Sequence, residues 1–306
     1  GDPTAASSIY TLIAHLERTW GVHFAMGGTG SLVRELCALI ERLGGEIRLS
    51  TDVSEIVVER GRARGVRLRD GTMLPSDVVV SNADSAWTYR HLVGREHRQR
   101  WTDARLDGAR YSMGLFVWYF GTKRRYDDVV HHTILLGPRY RELLDDIFER
   151  KVLADDFSLY LHRPTATDPS LAPPGHDAFY VLSPVPHLQS GTDWSRERER
   201  YRRAIAAYLD RTVLPGLESQ IVSSRILDPQ DFLDDYLSMF GAAFGLEPVL
   251  WQSAWFRPHN ESEDVRGLYL VGAGTHPGAG LPGVLSTARV LDTVVPDARH
   301  VRSALR

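Results

Sequence analysis

The residues best suited to chemistry lie near the C-terminal end, in LYLVGAGTHPGAGLPGV (268–284). A short apolar run leads into Gly272, Ala273 and Gly274, where little or no side chain stands between the backbone N–H groups and a ligand. Pro282 then opens an apolar segment of helical spacing, and a proline loses nothing at the first helical position. A helix N-terminus offers unpaired N–H groups and partial positive charge. The stretch therefore suits a phosphate, or a ring that gathers negative charge on accepting hydride, as a reduced flavin does. A tight structural turn is the competing reading, because glycine-rich turns are common. His276 is the titratable residue best placed in the loop for proton transfer, with hydrogen bonding that holds the loop as its alternative role.

Other chemistries find less support. His131 and His132 are adjacent, so on a strand they point to opposite faces and make a poor metal pair. His259, in WFRPHN, reads as a turn residue. The sequence holds no HExxH, no serine-centred elbow and no CxxC, so metallohydrolase and serine-hydrolase readings have no support. The single cysteine, Cys37, excludes an intramolecular disulfide and fits a cytosolic or cytosol-facing setting. A net charge of −3 gives no electrostatic case for nucleic acid. No run reaches the roughly 18 apolar residues of a membrane span.

The elements that must position the loop are legible from periodicity. SSIYTLIAHLERTWG carries Ile9, Leu12, Ile13 and Leu16 at helical spacing, and GGTGSLVRELCALIERLGG stripes Leu32, Leu36, Leu39, Ile40 and Leu43 along one helix face. EIRLS, VSEIVVER, ARGVRLRD and DVVVSNA read as a β-meander returning to a buried strand, followed by a helix from Ser85 to Val93. YSMGLFVWYFGTK is apolar on both faces, with Leu115, Val117 and Tyr119 alternating with Phe116, Trp118 and Phe120, so it predicts a strand covered on both sides. FSLYLHRPT and AFYVLSPVPHL repeat this more weakly. Either a plain two-sided core or an apolar ligand above the sheet accounts for them. DWSRERERYRRAIAAYLDRTVL is a charged helix with Tyr201, Ile205, Tyr208 and Leu209 facing inward.

The stretch YLVGAGTHPGAGLPGV resembles the C-terminal signature of bacterial-type phytoene desaturases, FAD-dependent enzymes grouped with the amine oxidase and protoporphyrinogen oxidase flavoproteins. SSIYTLIAHLERTWGVHFAMGGTGSLV, VVSNAD, HHTILLGPRYRELLDDIF, DFSLYLHRPTATDPSLAP, FYVLSPVPHL and EPVLWQSAWFRPHN are also similar to the family, in its order. The family's opening strand–GxGxxG–helix unit has no match here, so the expectation is the C-terminal part of a desaturase.

The resemblance implies an α/β fold, α+β in places: an incomplete Rossmann-like FAD domain with a β-meander, and a substrate domain on a mixed or antiparallel sheet with helices. It implies a helical segment over 1–20, flavin-domain parts over 21–106 and 261–306, and a substrate domain over 107–260. Val53 corresponds to a residue whose backbone meets the adenine; ordinary strand core is its alternative. Gly272, Ala273, Gly274 and Thr275 would line the ribityl and phosphate portion, and Pro282, Gly283 and Val284 the isoalloxazine. Ser81 and Asn82 would sit where the meander returns to the nucleotide, although Asn82 also reads as a helix-entry residue. Phe116, Trp118, Phe120 and Tyr160 are the candidate tunnel residues, because a hydrocarbon without polar handles must be recognised by apolar burial and shape. The implied reaction is hydride transfer from phytoene, or a partly desaturated carotene, to FAD, toward neurosporene or lycopene, with no metal required and oxygen or a quinone as final acceptor. The implied setting is the cytoplasmic face of the inner membrane, docked through the first helix. Another carotenoid desaturase or isomerase, an amine oxidase (disfavoured, as the loop lacks the cysteine common for a covalent flavin) and a non-catalytic module are the alternatives.

Overall fold

The computed structural model describes residues 2–297. Residues 298–306 of the expected last segment, and the side chain of Ile9, lie outside the described set. In chain order the elements are α1 (Thr11–Trp20), α2 (Thr29–Arg42), β1 (Val53–Glu59), β2 (Arg62–Leu68), β3 (Met73–Pro75) and β4 (Val79–Ser81). Then come α3 (Ser85–Trp87), α4 (Asp103–Asp107), β5 (Gly114–Thr122), β6 (His132–Leu135), α5 (Tyr140–Asp145), β7 (Leu159–His162) and β8 (Asp177–Val185). The last are α6 (Trp194–Thr212), α7 (Leu217–Gln220), β9 (Ile221–Leu227), α8 (Pro229–Tyr236), β10 (Leu268–Leu270) and α9 (Leu281–Val294). The chain is mixed α/β and divides into two compact units, one from the described parts of residues 1–7, 49–112 and 232–306, the other from 8–48 and 113–231. Residues 21–48, expected with the flavin-domain part, thus cluster with the second unit, and 232–260 with the first.

In the first unit β1, β2 and β3 form an antiparallel meander, with Ile56 opposite Val66. Arg60 and Gly61 both have positive φ, the signature of a two-residue hairpin turn that matches strand twist. β4 leaves the meander and pairs in parallel with β10, Val79 opposite Leu268 and Ser81 opposite Leu270. The core gathers Ile56, Val79, Tyr89, Trp101, Leu106, Leu268 and Leu270. Two expectations are corrected. EIRLS (46–50) is not a strand: Ser50 has a positive φ, Glu46 pairs with its near neighbour Arg48, and no strand among the described residues accepts the segment. The third meander strand is instead Met73–Pro75.

In the second unit five antiparallel strands run in the order β6-β7-β8-β5-β9. β5 is an inner strand, pairing Tyr119 with Tyr180 of β8 and with Arg225 of β9. Beneath it lie α6 residues Tyr201, Ile205 and Leu209, buried as their helical spacing predicts. Arg163 and Asp177 form a buried ion pair that also engages Tyr126 N and Thr165 Oγ1, so the carboxylate has several donors to offset its desolvation. The apolar stripe of α2 is present, yet Leu36, Leu39, Ile40 and Leu43 are exposed, and α2 has no buried residue.

Candidate functional site: a glycine loop and a two-faced sheet

β10 carries the chain out of a buried core into Gly272–Thr275. Val271 N donates to Ser81 O (3.0 Å), which continues the parallel pair and places the loop beside residues 81–85. A Cβ on Gly272 would stand 2.5 Å from Asn82 Oδ1, at a φ of +97° that L side chains rarely adopt. A Cβ on Gly274 would collide with Ser85 Oγ and come within 3.3 Å of Ser85 N. A side chain at either position would have to displace Asn82 or Ser85.

The loop is held from several sides. Gly272 N donates to Thr287 Oγ1 of α9 (3.0 Å), whose hydroxyl donates to Val284 O (2.6 Å). The buried Arg257 donates to Ala273 O (2.9 Å), and Asn260 Nδ2 donates to Leu270 O (3.1 Å). Thr275, fully buried, turns its hydroxyl inward onto Gly272 O (3.1 Å). Ser81 is likewise turned inward, its Oγ 2.8 Å from Thr88 Oγ1. α9 begins after Gly280 with no side-chain cap, so its first N–H groups need a partner of another kind. Pro282 is exposed and Gly283 and Val284 are half-buried in that first turn. Ser85 Oγ is buried with no hydrogen-bond partner among the described residues. An uncapped helix mouth and an orphaned buried hydroxyl are features a flavin would use, so the residues present fit the group.

The structure thus brings together Ser81, Asn82, Gly272, Ala273, Gly274, Thr275 and, through Thr287, Pro282–Val284. Val53 stands apart at the start of β1, partly exposed. The helix-entry role considered for Asn82 belongs to Asp84, whose Oδ1 accepts from Trp87 N (2.9 Å). Burial pushes the Asp84 carboxyl up to about 6, against hydrogen bonds from Trp87 and Ala86 that lower it. His276 is exposed and, with Trp255, His259 and Val290, lines a cavity of about 540 Å³. Asp84, Ser85, Thr287 and Arg257 escaped the sequence reading. For Arg257 the similarity of WFRPHN was the available signal, and for Asp84 its place at a helix start three residues before Trp87; for Ser85 and Thr287 only tertiary contact reveals the role.

In the sheet, Phe116 and Trp118 are fully buried and Phe120 nearly so, on the face packed against α6. Trp118 Nε1 donates to Ser224 Oγ (2.8 Å), and its ring lies 4.4 Å from that of Phe120. These three fill a core. The expectation of cover on both sides of β5 holds for Leu115 and Val117 but fails at Tyr119, which is 42% exposed. Tyr160, the fourth candidate, is on this opposite face: it pairs with Leu182, and its ring lies 5.7 Å from that of Tyr180. The opposed geometry expected of His131 and His132 is corrected. His131 precedes β6 and is not a strand residue, so the two rings approach to 4.3 Å.

The family profile of flavin containing amine oxidoreductase matches residues 1–290, and the chain belongs to that family. Its parallel β4–β10 pair, meander and antiparallel sheet make the mixed α/β fold that the sequence predicts. Among curated relatives, it is 52% identical over 304 residues to "Phytoene desaturase (neurosporene-forming)" of Rhodobacter capsulatus, covering 97% of this chain and 58% of the relative. It is 53% identical over 290 residues to "Phytoene desaturase (lycopene-forming)" of Pseudescherichia vulneris, covering 94% and 59%. The chain thus spans a little under three fifths of the length of these relatives. Among solved structures, an oxidoreductase from Methanosarcina mazei shares the fold with a TM-score of 0.63 at 23% identity, over 93% of this chain and 58% of that one.

Proposed function

We propose that the chain carries the C-terminal flavin contact and the substrate sheet of an FAD-dependent phytoene desaturase, forming conjugated double bonds toward neurosporene or lycopene. The observation that carries this reading is identity of about half the residues, along nearly the whole chain, to desaturases of both product types. FAD, when bound, supplies the hydride acceptor. Around it, the backbone of Gly272–Thr275 and the mouth of α9 would bind the cofactor, with Val53 at the adenine. Arg257, Asn260 and Thr287 would fix the loop. His276 would take the proton that leaves the carbon beside the hydride donor. The open face of the sheet, with Tyr119, Tyr160 and Tyr180, would recognise the hydrocarbon by apolar contact, while Phe116, Trp118 and Phe120 stiffen the sheet from behind.

A carotene dissolves in lipid, so the reading includes docking on the cytoplasmic face of the inner membrane. No helix among the described residues is long and apolar enough to cross a membrane. The exposed Leu12, Ile13, Leu16 and Trp20 on α1 support an interfacial contact, and deletion of Ser8–Trp20 should abolish liposome binding. The electron acceptor in this reading is oxygen or a quinone.

The test is a chimera with a family N-terminal GxGxxG unit placed ahead of this chain, expressed in phytoene-accumulating cells. Coloured polyenes support the reading, and their band positions count the double bonds formed. A soluble, flavin-loaded chimera that leaves phytoene colourless contradicts it, and moves a different carotenoid substrate ahead.

A further inference from the structure

We propose that His131, His132 and His162 form a binding site for a divalent transition-metal ion of the zinc type. The β6–β7 register sets His132 opposite His162. The bend before β6 returns His131 to the same end of the sheet, its ring 4.7 Å from that of His162. One ring nitrogen from each of the three lies within 4.8 Å of the others. The Nε2 atoms of His131 and His162 stand 2.8 Å apart. Zinc–nitrogen bonds of about 2.0–2.1 Å would hold two nitrogens of a tetrahedral centre about 3.3 Å apart, so opening this pair by roughly half an ångström seats an ion. His132 is exposed.

The surroundings are those of a ligand set. Thr167 Oγ1 contacts His131 Nδ1, and Tyr160 OH lies 2.6 Å from His132 Nδ1. With Thr167 Oγ1 and Tyr160 OH accepting from the Nδ1–H groups, the Nε2 atoms of His131 and His132 would be the ligand atoms, as at metal-bound imidazoles held by outer-shell groups. Phe24 packs edge-on against His131 at 4.8 Å and limits water on that side. His162 is 9% exposed, and its Nδ1 makes no hydrogen bond among the described residues. Three imidazoles without a carboxylate favour zinc, cobalt, nickel or copper over magnesium or calcium, and leave a fourth position for water.

The test is titration of the untagged chain with Co2+, read by its visible ligand-field absorption, with Zn2+ as competitor. The expected result is one tetrahedral cobalt per chain, displaced by Zn2+, with affinity reduced at least tenfold in His131→Asn and His162→Asn. Thr167→Val leaves all three ligands in place and should weaken binding by about tenfold. Absence of the band overturns the site, as does a band of unchanged affinity in His131→Asn and His132→Asn, both of which replace solvent-accessible rings and keep the test valid if His162→Asn fails to fold.

Discussion

Gly272–Thr275 is proposed to meet its ligand with backbone and β5 with side chains, and the two regions respond oppositely to change. At the loop, the absence of a side chain is what packing requires, because Asn82 and Ser85 already occupy the space a Cβ would need. At β5, consecutive residues have different jobs: Trp118 is locked between sheet and helix, while Tyr119 faces outward. A position in the loop is fixed by what it must lack, and a position in the strand by which face it serves.

The strand half of this contrast makes the largest prediction. Trp118→Ala should cost about 3–5 kcal/mol in chemical denaturation, since it empties a packed site and leaves Ser224 without its donor. An equal loss at Tyr119 would break the distinction between faces.

The two units should next separate by pH. Asp84 has a folded pKa of about 6, above its unfolded value, so the fold is favoured while Asp84 is protonated and loses that advantage as pH rises from about 4 through 6. Asp84→Asn keeps the helix cap and should be about 3 kcal/mol more stable than the parent at pH 7, with no gain at pH 3.5. His187 has the reverse sign: burial first, then the charge of Lys151, lowers it to about 4. Its stability is present above the unfolded value near 6.5 and is lost as pH falls toward 4. His187→Asn, which retains an acceptor for Gln189 N, should remove about 3 kcal/mol of that acid sensitivity in melts across this range. Parallel pH profiles for the two variants would refute these environments.

Gly274→Val should cost about 1–3 kcal/mol and deplete bound flavin in the chimera, measured by absorbance per protein. Retention of full flavin content would remove the loop from the cofactor site. The smallest stability effect belongs to Tyr119→Ala, about 1 kcal/mol from the lost ring contact with Tyr180, and it should reduce pigment yield.

Much of this was legible because periodicity and glycine placement act locally. The α6 stripe through Tyr201 and Ile205, the hairpin at Arg60–Gly61 and the strand entering Gly272 are readable without a neighbour. β6 and β9 were not, because HTIL and IVSSRIL are edge strands whose exposed residues carry little apolar pattern. The wall assigned to Phe116, Trp118 and Phe120 is a core, because alternation separates two faces without saying which one a helix covers. Ser85 gained its role from the loop arriving nearly two hundred residues later, which no local pattern encodes, whereas Asp84 caps α3 three residues on, a signal the sequence does carry. The histidine cluster was hidden by treating His131 as a strand residue.

The most direct measurement is anaerobic mixing of the flavin-loaded chimera with phytoene in liposomes, followed by absorbance. The account predicts bleaching of the oxidised flavin together with the appearance of a longer polyene chromophore. Flavin that stays oxidised beside unaltered phytoene, in a chimera that dithionite reduces normally, would contradict it.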